Sequence, residues 1–388
     1  MISVSDSGVV AVATPRNPLP AKVSFDRDVY CLLGLPFDAV NMTAAVQIVR
    51  GAVAQRAACF ISTPNLNFLI GCLADHQFRQ SVINSDLSIA DGMPLVWIAR
   101  LLDIPIRERV AGAGLFEALR NNVSHPLSVY FFGGPDGAAE TACRRLNGES
   151  SGVHCTGFES PGFGSIEDMS SAATIAAINA SNADFLLVSL GAKKGQAWIE
   201  HNRAQIVVPV ISHLGAVVNF VAGTLKRAPS WMQRIGLEWL WRIKEEPGLW
   251  RRYYSDGLAL IRLLFTRVIP YYRFIRRHRP PNRELVAAAI VIREGASEMV
   301  ISLRGAWTRD NLGPLRNCLT RVVIADMDLR MDLEHVLYVD ASFLGLMLLL
   351  HKHQNQHGRS LLCSPASPQV QKVFEFGCCE FLLSAGPP

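Results

Sequence analysis

The chain has 388 residues, of which 49% are hydrophobic, and a formal net charge of +5 at pH 7. This length argues against a single domain and predicts two to three, with enough apolar residues for buried cores. No uncharged apolar run reaches about 18 residues, which excludes a membrane-spanning helix, and the absence of a CxxC pair argues against a zinc site.

The first 24 residues contain Ser, Val, Ala and Pro but no long apolar stretch. They are therefore predicted to form a flexible tail and not a secretory signal. Nine cysteines are scattered along the chain, most of them in apolar surroundings. We expect most of them to be reduced core residues, as in a cytosolic protein.

Short apolar runs alternate with helical stretches between residues 28 and 250. This alternation predicts an α/β fold, a Rossmann-like and mostly parallel sheet with helices on both faces. The predicted strands cover 57–62, 128–132, 184–190 and 206–211, and the predicted helices include 44–56, 137–146 and 170–181.

One predicted strand ends in a carboxylate, Asp91, which Gly92 follows. Open α/β sheets bind ligands at the carboxyl ends of their strands, and a carboxylate there can take a proton from a hydroxyl nucleophile. The alternative is that Asp91 only caps the next helix. Thr63 and Asn65 precede Asp91, and Arg109 follows it by eighteen residues.

A glycine-rich turn at Gly133 and Gly134 follows a strand and opens a helix. Backbone amides at such a turn can hold a phosphate, although a tight turn would also require glycine. The turn is not GxGxxG, so a dinucleotide fingerprint is absent. A UDP-sugar epimerase or dehydrogenase is therefore disfavoured.

Two more candidate positions follow the next two strands. Lys194 can neutralise phosphate charge or be an ordinary surface lysine. His213 can be a general base, a donor to phosphate or a structural residue, and Gly215 is typical of a turn near a nucleotide.

The net positive charge comes from one segment. Between Lys226 and Arg283 there are fourteen Lys or Arg and four Asp or Glu, so the rest of the chain is net negative. Ten aromatic residues lie between 227 and 283. Arginine interleaved with Trp and Tyr suits a membrane interface better than nucleic acid, because no nucleic-acid motif accompanies it. The alternative is an ordinary helical hairpin with solvated charges.

The composition changes again after residue 283. Residues 340–345 resemble the Asp-Ser-Ser-Gly-Leu-Gly turn of STAS domains, and a strand at 360–364 and a helix at 367–376 follow in the STAS order. Ala341 and Phe343 depart from that motif. The resemblance implies a protein-interaction module, in which Ser342 is a candidate phosphorylation site.

Five motifs occur in one order: Thr63 to Asn65, Ala90 to Gly92, Arg109 to Gly112, Gly191 to Trp198, and Arg227 to Pro247. Together they resemble the WecG/TagA/CpsF family of bacterial glycosyltransferases over roughly residues 28 to 254. The resemblance implies an inverting transfer of a sugar from a UDP-sugar to a polyprenyl-diphosphate-linked saccharide, at the inner face of the cell membrane.

The same resemblance implies roles for individual residues. Asp91 would be the general base, Thr63 and Asn65 would position a substrate, and Arg109 would hold phosphate or the leaving UDP. No metal ion is expected. The other implied substrate contacts are Gly133, Gly134, Lys194, Gln196, Gly215, Arg227, Arg234, Arg242 and Arg251.

The chain departs from the family at one place. The usual form Gly-x-Pro-Lys-Gln-Glu-x-Trp has Gln where this chain has Gly195. Gln196 would replace that Gln by a one-residue shift. This departure favours the alternative function, a UDP-sugar sensor without turnover that acts through the STAS-like domain. The predicted organisation is a tail (1–24), a catalytic domain (25–250), a basic aromatic segment (251–283) and a STAS-like domain (284–388).

Overall fold

The computed structural model describes residues 24–295 and 298–383, so the predicted tail lies almost entirely outside the described residues. Its strands are β1 (Val29–Leu32), β2 (Leu35–Asp38), β3 (Cys59–Ser62), β4 (Leu87–Ser88), β5 (Leu127–Gly133), β6 (Val153–Glu159), β7 (Phe185–Ser189), β8 (Val210–His213), β9 (Ala289–Glu294), β10 (Glu298–Trp307), β11 (Asp328–Val339) and β12 (Leu361–Leu362).

Helices connect and cover these strands. They are α1 (Met42–Gln55), α2 (Leu66–Ala74), α3 (His76–Ile83), α4 (Met93–Leu101), α5 (Gly112–Arg120), α6 (Ala138–Asn147), α7 (Ala172–Ala180), α8 (Ala192–Asn202), α9 (Val217–Ala222), α10 (Ser230–Arg234), α11 (Glu238–Glu245), α12 (Trp250–Leu263), α13 (Ile269–Arg277), α14 (Asn282–Val286), α15 (Gly313–Val322), α16 (Ala341–Gln356) and α17 (Pro368–Phe376).

The larger sheet has the order β4-β3-β8-β7-β5-β6, and all its pairs are parallel. Every residue of β5 and β7 is buried, because helices cover both faces of the sheet. This confirms the predicted fold class. The strand predicted at 206–211 was placed too early, since β8 begins at Val210, after Pro209.

The basic aromatic segment forms a helical appendage that we define as α10 to α13. A π-helical turn at Leu264–Val268 joins α12 to α13, so the two helices are nearly continuous. Asn67 Nδ2 in α2 donates to both carboxylate oxygens of Asp256 in α12, at 3.3 and 3.2 Å. The appendage is thereby tied to the helix that follows Thr63 and Asn65.

The C-terminal unit is a smaller mixed sheet of order β12-β11-β10-β9, in which only β9 runs antiparallel to its neighbour. Helix α16 begins where Asp340 accepts bonds from the backbone amides of Ser342 and Phe343. Ser342 is 1% exposed, and its hydroxyl donates to Asp340 at 2.5 Å. The candidate phosphorylation site is therefore buried inside a helix cap.

The hairpin β1–β2 packs between the two units, and one hydrophobic core runs through all three. A Cβ added at Gly345 in α16 would lie 2.2 Å from the carbonyl oxygen of Val29 in β1. Glycine at this point of the STAS-like motif therefore allows helix and hairpin backbones to touch. The helix is buried by the chain's own N-terminal hairpin.

A buried ion pair also crosses this boundary. Lys352 of α16 is 1% exposed, and its Nζ lies 2.6 Å from Asp86 Oδ1 and 3.0 Å from the Ser85 carbonyl oxygen. Asp86 accepts a further bond from the amide of Phe60 in β3. One residue of the C-terminal unit thus holds the amino ends of two strands, β3 and β4.

Seven of the nine cysteines are free, as expected for most of them, and the other two are paired. Cys143 in α6 and Cys155 in β6 form a disulfide with their Cα atoms 5.2 Å apart. Their spacing is not a recognisable motif, and only the packing of α6 against β6 brings them together.

Candidate active site

Asp91 lies past the end of β4 and is bound from two sides. Its Oδ1 accepts bonds from Arg109 Nε at 3.1 Å and Nη2 at 2.9 Å, and its Oδ2 accepts one from the Gly112 amide at 3.1 Å. The alternative that Asp91 caps the next helix is wrong, because the N-cap of α4 is Gly92 and no side chain caps this helix. The carboxylate is instead fixed against the first turn of α5, with lone pairs left for a substrate proton.

Arg109 lies between two carboxylates. Besides Asp91 it donates through Nη1 to Glu238 of α11, at 2.5 Å. Burial disfavours the charge on Arg109, but Asp91 and Glu238 together raise its pKa. Arg109 is therefore a permanent cation, suited to holding phosphate oxygens.

Thr63 and Asn65 flank this pair from the end of β3. Thr63 is buried over the first turn of α5, with its Cγ2 3.1 Å from where a Cβ at Gly112 would be. Asn65 caps α2, since its Oδ1 accepts from the Phe68 amide at 3.1 Å. Its amide nitrogen has no partner among the described residues and is available to a substrate. The structure thus brings Thr63, Asn65, Asp91 and Arg109 to one edge of the sheet.

The glycines predicted near the donor line the adjacent edge. Gly133 and Gly134 have φ of +87° and +98°, and Ser189 Oγ donates to the Gly215 carbonyl oxygen at 2.7 Å. Beyond the turn, at the N-terminus of α6, a cavity of about 370 Å³ opens towards the appendage. Its lining residues are Pro135, Asp136, Gly137, Ala138, Thr141, Asn219, Thr224, Leu225 and Glu246.

The two residues predicted to contact the donor from α8 are engaged elsewhere. The Lys194 ammonium group donates to the Gly164 carbonyl oxygen in the loop after β6. Gln196 is fully buried, and its amide bonds to Ser62 Oγ at 3.2 Å. Gln196 therefore supports the strand that leads to Thr63 from inside the core and does not line the open site.

The departure at Gly195 has a steric reason. A Cβ there would lie 2.2 Å from Cδ2 of His213, whose ring fills the space beside α8. His213 is held by its Nε2, 2.5 Å from the Leu190 carbonyl oxygen, and burial lowers its pKa. His213 is thus a neutral core residue here, and no side chain fits at 195 while the ring stays in place.

This packing predicts the effect of adding a methyl group. Gly195→Ala is expected to destabilise the protein by about 2 kcal/mol, because overpacking outweighs the gain in helix propensity. Urea unfolding measures the change, and Gly51→Ala in α1 is the matched control, since nothing lies within 4 Å of its Cβ position. In combination with His213→Ala, which removes the ring, the two losses should be clearly less than additive, because the clash is then absent. A Gly195→Ala variant as stable as Gly51→Ala would contradict this explanation.

The arginines predicted in the appendage have different surroundings. Arg227 lies beside α5, its Nη2 3.5 Å from a Cβ position at Gly114. Arg242 pairs with Glu246, which follows the last residue of the same helix, and Arg251 lies over the Trp250 ring at 5.6 Å. Arg227 is thus beside the helix that binds Asp91, whereas Arg251 faces outward. The side chain of Arg234 lies outside the described part of the chain.

Glu238 was missed by sequence reasoning. It is an ordinary acidic residue in the first turn of a helix, and it reaches Arg109 across 129 positions. No spacing in the sequence could have found it. Within residues 24–295 and 298–383, no cluster of three or more His, Cys, Asp or Glu residues could hold a metal ion, and no helix is long and apolar enough to cross a membrane.

Comparison with known proteins identifies the family of the chain. The model of the Glycosyl transferase WecG/TagA/CpsF family matches residues 30–273, and that of the Mlab, STAS domain matches residues 290–377. The chain is therefore a glycosyltransferase by family. It belongs to the WecG/TagA/CpsF family, and it carries a STAS domain at its C-terminal side.

Several relatives have the same name, N-acetylglucosaminyldiphosphoundecaprenol N-acetyl-beta-D-mannosaminyltransferase. A protein of Bacillus spizizenii is 27% identical over 202 residues, which are 52% of this chain and 77% of the relative. One of Bacillus subtilis is 24% identical over 57% of this chain and 85% of the relative. One of Staphylococcus aureus is 25% identical over 54% and 82%.

Proposed function

We propose that this chain transfers a sugar from a UDP-sugar to a polyprenyl-diphosphate-linked saccharide, with inversion, in the synthesis of a bacterial surface polysaccharide. The observation that supports this most is the arrangement of Asp91, Arg109 and Gly112 at the carboxyl edge of the sheet. The relatives, whose names describe transfer to a lipid diphosphate, suggest the acceptor class.

The chemistry follows from the two charged groups. An acceptor hydroxyl that attacks the anomeric carbon must lose its proton as the new bond forms, and Asp91 would accept that proton. The bond to UDP breaks on the opposite face, so the configuration inverts. Negative charge then grows on the leaving diphosphate oxygen, where Arg109 would stabilise it without a metal ion.

The donor would bind along the glycine-rich edge. Gly133, Gly134 and Gly215 all lie around Ser189, and the lining of the cavity begins at Pro135, the next residue after Gly134. Helix N-termini bind phosphates through their free amides. We place the uridine diphosphate between this helix end and Arg109.

The appendage would bring the enzyme to a membrane-embedded acceptor. Along α12 and the π-helical turn, the exposed apolar residues recur every three or four positions, so they form one stripe. This apolar stripe consists of Trp250, Tyr254, Leu258, Ile261 and Phe265. An apolar stripe on a basic helix is suited to lie in the interface of an anionic membrane.

We expect replacement of the two ends of the stripe to weaken membrane binding. Trp250→Ser with Phe265→Ser removes two exposed rings and should reduce partition onto anionic vesicles roughly tenfold or more. Vesicle co-sedimentation measures this partition. Val123→Ser, at an equally exposed apolar position before β5, is the control and should change nothing. Unchanged binding of the double variant would place the membrane contact elsewhere.

A protein partner of the STAS domain would use a different surface from α16, which the hairpin covers. The edge strand β9 is open to solvent and exposes Val291 and Ile292. We propose this strand as the surface for such a partner.

The test of the proposed function is UDP release from a panel of UDP-sugars. Purified protein would be given a short-chain polyprenyl-diphosphate-sugar acceptor, with and without anionic vesicles. Acceptor-dependent release with one donor, and an inverted anomeric centre in the product, are expected. UDP binding without release from any donor would instead favour the sensor function.

A further inference from the structure

In this structure, the cationic side chain of the candidate active site is already paired with acidic side chains. One guanidinium, Arg109, faces two carboxylates, Asp91 and Glu238, and all three side chains are less than one-fifth exposed. The described residues bring no second cation within ion-pair distance of either carboxylate. The trio therefore carries excess negative charge.

A diphosphate entering this site would meet unfavourable charge. Its oxygens would bond to Arg109, but both carboxylates would repel it at short range in surroundings of reduced dielectric. Nε and Nη2 of Arg109 are engaged by Asp91, which Gly112 also holds. Nη1 is held by Glu238, which comes from the appendage.

The Glu238 side chain can dissociate from Arg109 more easily than the Asp91 side chain can. The Asp91 carboxylate is held both by the Gly112 amide of α5 and by Arg109. Among the described residues, the Glu238 side chain makes one hydrogen bond, to Arg109. Glu238 begins α11 two residues after Gly236, which has φ of +79° and packs against Met93 at the start of α4. A small change at this glycine would move α11 and Glu238 without disturbing the sheet.

We propose that the Glu238 carboxylate occupies the position of a donor phosphate on Arg109 and must be displaced when the nucleotide binds. This inference rests on the proposed function, because the competing ligand is the diphosphate of a UDP-sugar. Glu238 is thus an intramolecular competitor that keeps Arg109 paired in the empty enzyme. Its displacement links occupation of the donor site to movement of α11.

The experiment compares UDP affinity in full-length protein by calorimetry. Glu238→Gln keeps the shape of the side chain but removes its charge, and should bind UDP roughly three- to tenfold more tightly than the wild type. KM for the UDP-sugar should fall by a similar factor while kcat changes little. Glu245→Gln, which removes a charge from the same helix away from Arg109, is the matched control and should leave the UDP affinity unchanged.

Two further measurements test whether the effect depends on the diphosphate and on the charge of residue 238. Uridine has no diphosphate, so its affinity should be the same in the wild type and in Glu238→Gln. Glu238→Asp keeps the charge on a shorter side chain and should give an intermediate UDP affinity, which provides a second test if the Gln variant folds poorly.

Each result is decisive. UDP binding that is unchanged or weaker in Glu238→Gln, when the wild type binds UDP, overturns the competitor role and leaves the transferase function standing. The role is also overturned if Glu245→Gln binds UDP more tightly by the same factor, or if Glu238→Gln binds uridine more tightly. The effect would then come from the lower net negative charge of the protein and not from competition at Arg109. A wild type that binds no UDP overturns this inference and the proposed function together.

Discussion

Replacing Asp91 with Asn is expected to reduce sugar transfer by roughly a hundred- to ten-thousandfold, the range for loss of a general base. The amide cannot accept the hydroxyl proton, but it keeps one oxygen for the bonds that Asp91 now makes to Arg109 or Gly112. UDP affinity should not fall, since Arg109, which would hold the diphosphate, stays and one of the two carboxylates that repel it is neutralised. Initial rates with the accepted donor, together with UDP calorimetry, measure the two effects separately.

The control is Asp103→Asn, which neutralises an exposed carboxylate just after the helix that follows Asp91. It should transfer sugar at the wild-type rate. Turnover of Asp91→Asn within a few-fold of the wild type would exclude Asp91 as the base. A parallel loss of UDP binding and thermal stability would show that the variant acts through folding.

Replacing Lys352 with Met should lower the free energy of unfolding by about 3 kcal/mol. Removal of one member of a buried ion pair leaves the other charge without a partner, and Asp86 keeps only its bond to the Phe60 amide and nearby Arg27. Because Asp86 belongs to the catalytic domain, the loss should appear in the unfolding of the whole chain. Urea denaturation, followed by tryptophan fluorescence and by circular dichroism, tests this.

Lys372→Met removes an exposed lysine from α17 of the same unit and should have little effect. The double variant Lys352→Met with Asp86→Asn should recover much of the loss, because no unpaired charge is then buried. Strictly additive losses would show that the pair is not coupled. A separate early transition of the C-terminal unit would show that the two units unfold independently.

These two predictions differ in how far the sequence alone could support them. The position of Asp91 after a strand was predictable, because alternation of apolar runs is a local property and parallel strands expose their carboxyl ends at one edge. Lys352 was not, since a lysine within a helix gives no sign of a partner 266 positions away. The apolar run from Ala341 to Leu350 did carry a signal, because a helix apolar all round must be buried on all sides.

The sequence by itself thus determined the fold class, the order of the two units and the acidic residue at the strand end, because each depends on neighbours along the chain. Only the tertiary structure decided that Glu238 pairs with Arg109, that His213 fills the space beside Gly195, and that α16 packs against the hairpin. These contacts join residues far apart in the chain. Their free energy depends on distance and burial in the folded state, and neither quantity is a property of the sequence pattern.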